Sequence, residues 1–327
     1  FYNIYFKNKV FLLQNDLNIN INYFFFLIIY SMNSIIFPGQ GSQYVEMGKN
    51  WYENYKEAKD IFDEADKILN ESLSDLIFKG PDDLLVKTNN AQPAILVTSI
   101  AILEVVKSQK NISLKDFCKF VAGHSLGEYT ALYASEALNF ETVLKLVKYR
   151  GQLMSKSDKT GKGKMSAIIG LKIDEINKII KNFQNEGVCE IANDNSDGQI
   201  VVSGNKESVD AFKLIAKEHG AKLTIDLKVS APFHCKLMEN AAIEMKKEIN
   251  KIDFSELKIP LISNVEALPC KESDKLLSLL SNQITKTVKW RETVKLMEKE
   301  GVKKIFEVGP GNVLSGLVKR ITKNIEC

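Results

Sequence analysis

The sequence Gly123-His124-Ser125-Leu126-Gly127 has the residue types and spacing of a serine nucleophile on a tight turn. In a G-x-S-x-G turn between a strand and a helix, the glycines allow a sharp bend that presents the Ser hydroxyl at the helix N-terminus. Backbone amides and the helix dipole at that end favour a developing oxyanion. A plain strand-to-helix turn is the alternative. Because a strand is predicted before the motif and a helix after it, we expect Ser125 to be catalytic.

A serine nucleophile needs a general base, and the chain has three histidines, His124, His219 and His234. Histidine suits this role because its unperturbed pKa lies near neutrality. His124 adjoins Ser125, and neighbouring side chains on such a turn point apart. His219 ends an amphipathic helix just before Gly220, where a cation needs no functional explanation. His234 lies where two predicted domains meet and a cleft is expected. Elimination predicts that His234 is the base, with a structural histidine as the alternative.

The elements that must position these residues alternate between short strands and helices from Ser34 onward, which is typical of an α/β fold. The predicted strands are Ile35–Phe37, Lys119–Ala122, Pro260–Ser263 and Lys304–Val308, and the predicted helices are 52–70, Ala91–Lys107 and Glu128–Ala137.

Residues 165–229 follow a separate pattern of strand, helix, strand, strand, helix and strand, which is that of a ferredoxin-like unit. The predicted elements are Ser166–Leu171, Asp174–Asn185, Val188–Asn193, Gln199–Gly204, Lys206–Glu218 and Lys222–Val229. We therefore predict a large catalytic α/β domain of residues 32–160 and 232–327, interrupted by a small ferredoxin-like domain of residues 161–231.

Residues 1–31 differ in composition from the rest and contain a wholly aromatic or aliphatic run, Tyr23–Tyr30. This run is far shorter than the roughly 20 apolar residues of a membrane helix, so we expect no stable membrane span. With Lys7 and Lys9 upstream it is similar to the core of a targeting segment, although no A-x-A cleavage site follows. A non-native extension, with Met32 as an alternative start, is the other interpretation.

Composition sets broad limits on function. Of the 327 residues, 45% are hydrophobic and 26% are charged, which is typical of a globular enzyme with a sizeable core. The net charge of +3 gives no indication of nucleic-acid binding. The five cysteines are widely spaced without a C-x-x-C pair, which argues against a disulfide framework or a structural zinc site.

Six motifs together make the sequence resemble the malonyl-CoA:acyl carrier protein transacylases of type II fatty acid synthesis. They are Phe37–Gln43 (FPGQGSQ), Gly123–Tyr129 (GHSLGEY), Tyr149–Gly151 (YRG), Gln199–Gly204 (QIVVSG), Ser230–His234 (SAPFH) and Glu307–Gly311 (EVGPG). The resemblance runs from about Ser34 to Arg320. It implies an α/β-hydrolase-like large domain with an inserted ferredoxin-like small domain, in agreement with the periodicity.

The resemblance implies that Ser125 takes the malonyl group as an ester and that His234 relays the proton. It also implies an oxyanion hole formed by Gln40 and the backbone amide of Leu126. The Gln40 amide is a donor on a glycine-flanked loop that can approach the ester closely, although a turn residue is the alternative. Arg150 matches the family's carboxylate anchor, because a planar guanidinium can bind the free malonyl carboxylate with two charge-assisted hydrogen bonds. A surface arginine at a helix end is the alternative.

Other substrate-pocket residues also follow from the resemblance. In the family a main-chain carbonyl orients the histidine, with a Gln close by that corresponds to Gln283 here. Asn193 and Asn195 both fall where the family has an Asn near the pocket, and the sequence does not choose between them. Phe233, beside the predicted base, should narrow the space at the acyl α-carbon and disfavour branched malonyl groups.

The implied reaction is ping-pong transfer of malonyl from malonyl-CoA to the phosphopantetheine thiol of an acyl carrier protein, with no bound cofactor or metal. The expected partner is that carrier, and the protein is expected to be a monomer. Carrier proteins are typically acidic, so a basic rim is expected. Its candidates, each of which also fits a solvated surface, are Lys162, Lys164, Lys286, Lys289 and Arg291. The expected location is a plastid-type organelle if residues 1–31 are a targeting segment, and the cytoplasm otherwise.

Three alternatives stay open on sequence alone. A serine hydrolase of the thioesterase or lipase type would need no Arg for a carboxylate and would usually place an acidic residue between Ser and His in chain order. An acyltransferase for another acyl group would likewise not require Arg150. An inactive carrier-binding module would keep the fold, but Ser125, His234, Arg150 and Gln40 are all present.

Overall fold

The computed structural model describes residues 32–158, 161–184 and 186–327. The predicted N-terminal extension, residues 1–31, lies outside the described residues.

The helices and strands follow one another along the chain as predicted for an α/β protein. The helices are α1 Lys49–Asn54, α2 Lys56–Leu69, α3 Leu73–Lys79, α4 Asp82–Leu85, α5 Thr88–Lys110, α6 Leu114–Phe117, α7 Gly127–Ala134, α8 Phe140–Lys156, α9 Ile173–Asn182, α10 Lys206–Glu218, α11 Glu239–Ile249, α12 Ser273–Gln283, α13 Trp290–Lys299 and α14 Val313–Ile321. The strands are β1 Asn33–Phe37, β2 Cys118–Gly123, β3 Gly163–Ile169, β4 Cys189–Ser196, β5 Gln199–Asn205, β6 Leu223–Asp226, β7 Leu261–Ile262, β8 Pro269–Cys270 and β9 Lys304–Glu307.

The larger sheet has the strand order β8-β7-β2-β1-β9, and β7, β2, β1 and β9 are parallel. Strand β1 is buried on both faces, as strands of parallel sheets covered by helices are. Ile35 and Phe37 pack in the core cluster that contains α5, whereas Ile36 packs on the opposite face in the cluster that contains α13 and α14. The carboxyl ends of β1 and β2 therefore meet at one edge of the sheet, where the G-x-S-x-G turn begins.

Helix α5 is the central helix of the larger core. It is long and apolar enough to cross a membrane by length and composition, but 72% of that apolar window is buried inside the structure. Burial of this kind is what a core helix shows. The helix is longer at both ends than the predicted Ala91–Lys107, and it tolerates Pro93 in its second turn.

The smaller sheet is antiparallel with the order β4-β5-β3-β6, and it confirms the predicted βαββαβ pattern. Helices α9 and α10 cover one face, where Ile168, Val202 and Phe212 form a separate core. On the other face, Met165 and Val201 join the core of the larger sheet. All four strands lie between residues 163 and 226, inside the predicted small domain; the boundaries of that domain stay a prediction.

The prediction of one continuous helix over residues 52–70 was wrong. Tyr55 has an extended backbone with φ −131° and ψ 126°, and it separates α1 from α2. Its ring still packs against Trp51, four residues earlier, with the centroids 5.4 Å apart. Helix α7 also ends at Ala134 rather than at residue 137.

Candidate active site

Ser125 lies on a sharp turn between the end of β2 and the start of α7. Its φ of +51° falls in the left-handed region, which non-glycine residues rarely occupy and which is found at strained functional positions. Both flanking glycines are needed for close packing. A Cβ on Gly123 would lie 1.9 Å from the carbonyl carbon of Gly127, and one on Gly127 would lie 2.1 Å from the Phe37 carbonyl oxygen. The turn therefore requires glycine at both positions.

His234 faces the Ser125 hydroxyl, with its Nε2 2.8 Å from Ser125 Oγ. Its Nδ1 lies 2.7 Å from the main-chain carbonyl oxygen of Gln283. Because a carbonyl only accepts hydrogen bonds, Nδ1 carries the proton and Nε2 has the lone pair for the Ser hydroxyl. Gln283 is the last residue of α12, where carbonyls have no intrahelical donor, so its oxygen is free for this contact.

His234 is 4% exposed, and burial, aided by the nearby Arg150 charge, lowers its pKa to about 3. The ring is therefore neutral near neutral pH and can accept the serine proton.

Arg150 comes from α8 and is 1% exposed. Its Nη1 donates to Gln92 Oε1 at 2.6 Å, and its Nη2 donates to Gln283 Oε1 at 2.9 Å and to Ser125 Oγ at 3.2 Å. Burial is the main cause that lowers its pKa. Within the described ranges no carboxylate forms an ion pair with it. This cation therefore stands beside the serine hydroxyl with only neutral hydrogen-bond partners.

The two predicted oxyanion donors line the same pocket as Ser125. Gln40 donates from Nε2 to Thr88 Oγ1 at 3.1 Å. The Leu126 amide stands at the N-terminus of α7, and it has no acceptor in the part of the chain that the structure describes. The Leu126 amide can thus donate into the pocket directly. Gln40 would give up its hydrogen bond to the Thr88 hydroxyl in order to donate to a developing oxyanion.

The pocket has a volume of about 270 Å³ and includes Phe233, Met154 and Met165 in its apolar lining. Asn193 also lines it, whereas the Oδ1 of Asn195 lies 2.8 Å from His124 Nε2. The structure therefore separates the two predicted asparagines: Asn193 lines the pocket, and Asn195 contacts His124, which precedes Ser125.

Two buried polar residues at this site escaped the sequence analysis. Asn264 Oδ1 accepts from the Ser125 amide at 2.7 Å, and its Nδ2 donates to the Gly123 carbonyl at 2.7 Å. The Glu128 carboxylate accepts from the backbone N–H of Asn264 at 3.2 Å and from Gln283 Nε2 at 2.5 Å. One signal was available for Asn264, because it follows β7 at the carboxyl edge of a parallel sheet, where ligands commonly bind.

The proposed basic rim is partly neutralised. Lys164 Nζ lies 2.7 Å from Asp210 and 3.0 Å from Asp226, and Arg291 Nη2 lies 2.8 Å from Asp194. These two basic residues are therefore engaged in ion pairs. No cluster of three or more His, Cys, Asp or Glu that could hold a metal occurs in residues 32–158, 161–184 and 186–327.

The site combines a serine hydroxyl, a neutral imidazole, a buried guanidinium and an open backbone amide, which is a set suited to acyl transfer. The family model described as acyl transferase domain matches residues 35–326. This chain belongs to the acyl transferase domain family. That membership confirms the resemblance inferred from the six motifs.

Similar proteins of this family carry more specific names. Malonyl CoA-acyl carrier protein transacylase of Bacillus subtilis is 42% identical over 294 residues, which cover 90% of this chain and 91% of the relative. Acyl-carrier-protein S-malonyltransferase of Bartonella henselae superposes with a TM-score of 0.87 at 42% identity, covering 90% of this chain and 93% of that structure. A malonyl-transacylase solved with a type II PKS acyl-carrier protein, PlMCAT:AntF, gives a TM-score of 0.86 at 35% identity over 90% of this chain and 94% of that one.

Proposed function

We propose that this protein transfers the malonyl group of malonyl-CoA to the phosphopantetheine thiol of an acyl carrier protein, through an ester on Ser125, and so supplies type II fatty acid synthesis. The observation that carries the proposal is the Arg150 guanidinium, 3.2 Å from Ser125 Oγ, whose hydrogen-bond partners among the described residues are amide and hydroxyl oxygens. A buried cation in this state is matched to an acyl group that brings its own carboxylate.

In the first half-reaction, His234 Nε2 takes the Ser125 proton as Oγ attacks the thioester carbonyl. The Leu126 amide and Gln40 stabilise the resulting oxyanion. Collapse of the intermediate breaks the carbon–sulfur bond, and the departing coenzyme A sulfur takes the proton from His234. A thiol has a pKa of about 8.5 and leaves readily, so His234 needs only modest help from the Gln283 carbonyl.

In the second half-reaction, the carrier thiol gives its proton to His234 and attacks the malonyl ester. The oxyanion returns to the same donors, and Ser125 leaves with the proton from His234. Arg150 would bind the malonyl carboxylate through both steps, so the acyl group keeps one orientation. Asn193 and Phe233 would bound the malonyl group in the pocket, with Phe233 limiting substitution at the α-carbon.

The arrangement around His234 favours transfer over the hydrolase alternative. A main-chain carbonyl contacts Nδ1, whereas lipases and esterases on related folds place a carboxylate there. An inactive binding module is also disfavoured, because the Ser125–His234 contact of 2.8 Å is within the range of a working nucleophile and base.

The acyl carrier protein is the partner in this proposal, and a monomer without a membrane span is sufficient for the reaction. We place the protein in the cytoplasm unless residues 1–31 act as a targeting segment for a plastid-type organelle. The similar malonyl CoA-acyl carrier protein transacylases of Bacillus subtilis and Staphylococcus aureus are bacterial.

Intact-protein mass spectrometry after brief mixing with malonyl-CoA or acetyl-CoA tests the proposal. We expect a malonyl adduct that is absent from Ser125→Ala and is discharged by a phosphopantetheinylated carrier protein. A dominant acetyl adduct would keep the nucleophile and overturn the role of Arg150. No adduct in folded protein, with release of free malonate, would indicate a hydrolase.

A further inference from the structure

Glu128 is an acidic side chain with no solvent exposure, in the first turn of the helix that follows the nucleophile. Acidic residues are almost never fully buried unless they are paired. Within the described part of the chain, its carboxylate forms no ion pair; Oε1 accepts from the Asn264 backbone amide at 3.2 Å, and Oε2 accepts from Gln283 Nε2 at 2.5 Å. Neither half-reaction of the proposed mechanism uses this group.

Gln283 connects the carboxylate to the buried cation of the site. Its Nε2 donates to Glu128 and to the Ser125 carbonyl at 2.8 Å, while its Oε1 accepts from Arg150 Nη2 at 2.9 Å. An ionised carboxylate only accepts and a guanidinium only donates, so the two ends require the same orientation of the amide. Glu128 and the Ser125 carbonyl thereby together determine which atom of Gln283 faces Arg150.

We propose that Glu128 is a positioning residue for acyl selection: through the side-chain amide of Gln283 it orients the Arg150 guanidinium for the malonyl carboxylate. This inference rests on the proposed function, because it assigns Glu128 to the selectivity of that same site. An acyl group without a carboxylate, such as acetyl, makes no use of the orientation.

Replacement of Glu128 by glutamine would keep the size of the side chain but disrupt the chain of hydrogen bonds. The backbone N–H of Asn264 and Gln283 Nε2 are both donors, and a glutamine offers one acceptor oxygen where the carboxylate offers two. One donor would then face another donor. If Gln283 rotates to avoid this clash, it presents its NH₂ group to Arg150 and displaces the guanidinium.

Charge alone predicts the opposite result. Removal of the Glu128 charge would leave Arg150 as an unbalanced cation and would strengthen its attraction for malonyl. The geometric argument predicts that Glu128→Gln lowers the malonyl-to-acetyl loading ratio, and the charge argument predicts that it raises the ratio. Measuring this one ratio therefore distinguishes the two. The acidic group is faced by Arg150 from α8, by Gln283 from α12 and by Asn264 from the loop after β7. Burial raises its pKa to about 7, although the hydrogen bonds from Gln283 and Asn264 and the Arg150 charge act in the lowering direction.

The test measures initial rates of malonyl and acetyl loading onto Ser125 by quenched-flow mass spectrometry for the wild type, Glu128→Gln and Glu128→Asp. We expect Glu128→Gln to lower the malonyl-to-acetyl ratio by about 10- to 100-fold, the range for a lost charge-assisted hydrogen bond. Glu128→Asp keeps an acceptor-only group on a shorter side chain, so its malonyl-to-acetyl ratio should lie between those of the wild type and Glu128→Gln. Arg320→Ala, an exposed arginine on α14, is the control and should keep the wild-type ratio.

A double-mutant cycle separates positioning from a general loss of structure. In an Arg150→Ala background, Glu128→Gln should change the ratio no further, although it can still lower both rates. An unchanged or raised ratio in Glu128→Gln, or in Glu128→Asp should the first variant not fold, would overturn the inference. Wild-type protein without a malonyl preference, or Arg150→Ala with an unchanged ratio, would instead refute the proposed function.

Discussion

Replacement of Arg150 by alanine removes the cation beside the nucleophile while leaving Ser125 and His234 in place. In the wild type, Arg150 is 1% exposed and makes no ion pair within the described ranges. The malonyl carboxylate would be its ionic partner inside the pocket. Breaking a buried pair by removing one partner costs about 3 to 5 kcal/mol. At about 1.4 kcal/mol per factor of ten, malonyl loading should slow on the order of 100- to 4,000-fold.

Acetyl loading provides the internal reference for this variant. Acetyl has no carboxylate, so it loses only the Arg150–Ser125 contact of 3.2 Å. A single hydrogen bond contributes about 0.5 to 1.5 kcal/mol, so the acetyl rate should change by no more than about tenfold. The assay is the burst of acyl-enzyme formation with each acyl-CoA, followed by intact-mass detection.

Folding must be checked in parallel, because the substitution leaves two buried amide oxygens, on Gln92 and Gln283, without their donor. Each unsatisfied acceptor costs about 1 to 3 kcal/mol, offset in part by removal of a buried charge. Thermal unfolding of Arg150→Ala and of Arg150→Lys, which keeps the charge but loses the planar fork, shows whether stability changes. Equal slowing of malonyl and acetyl loading in a folded Arg150→Ala variant would show that Arg150 does not select for the malonyl carboxylate.

Three further predictions concern the same site. His234→Ala should slow malonyl loading about 10²- to 10⁴-fold in a burst assay, whereas His219→Ala, at an exposed helix end, should leave it unchanged; equal effects would contradict the assignment of the base. Phe233→Ser should raise methylmalonyl loading relative to malonyl about tenfold in a competition assay, and acceptance no better than wild type would count against the steric role of the ring. Burial raises the pKa of Glu128 to about 7, so the carboxyl gains a proton as pH falls from 8 to 6 and ceases to be acceptor-only. The malonyl-to-acetyl ratio should therefore fall over that window in the wild type and stay flat in Glu128→Gln; a flat wild-type ratio would contradict this.

The tight turn that carries Ser125 could be predicted from sequence because its requirements are local. Gly123 and Gly127 must lack side chains because backbone segments touch there, and both positions fall within five consecutive residues. The small sheet was equally accessible, because each of its strands and helices carries its own periodicity. Residue types alone also led to His234, since only three histidines compete for the role.

The remainder of the site depends on packing between distant segments. Arg150 meets Gln92 across 58 residues and Gln283 across 133, so nothing in its neighbourhood in sequence marks it; only the family resemblance did. The link from Glu128 to Gln283 spans 155 residues, and a glutamate in a first helical turn has an ordinary explanation as a favourable charge at the N-terminus. The break at Tyr55 was missed for a similar reason, because its apolar spacing also fits a helix.

The oxygen that contacts His234 Nδ1 belongs to the main chain. This affects which mutations the site can tolerate during evolution. A carboxylate in that place could be lost through one codon change, and His234 would lose its orientation with it. Here any residue at position 283 supplies the carbonyl, as long as α12 ends where it does. The side chain at that position does not orient His234, so it can change without loss of the carbonyl contact to the ring.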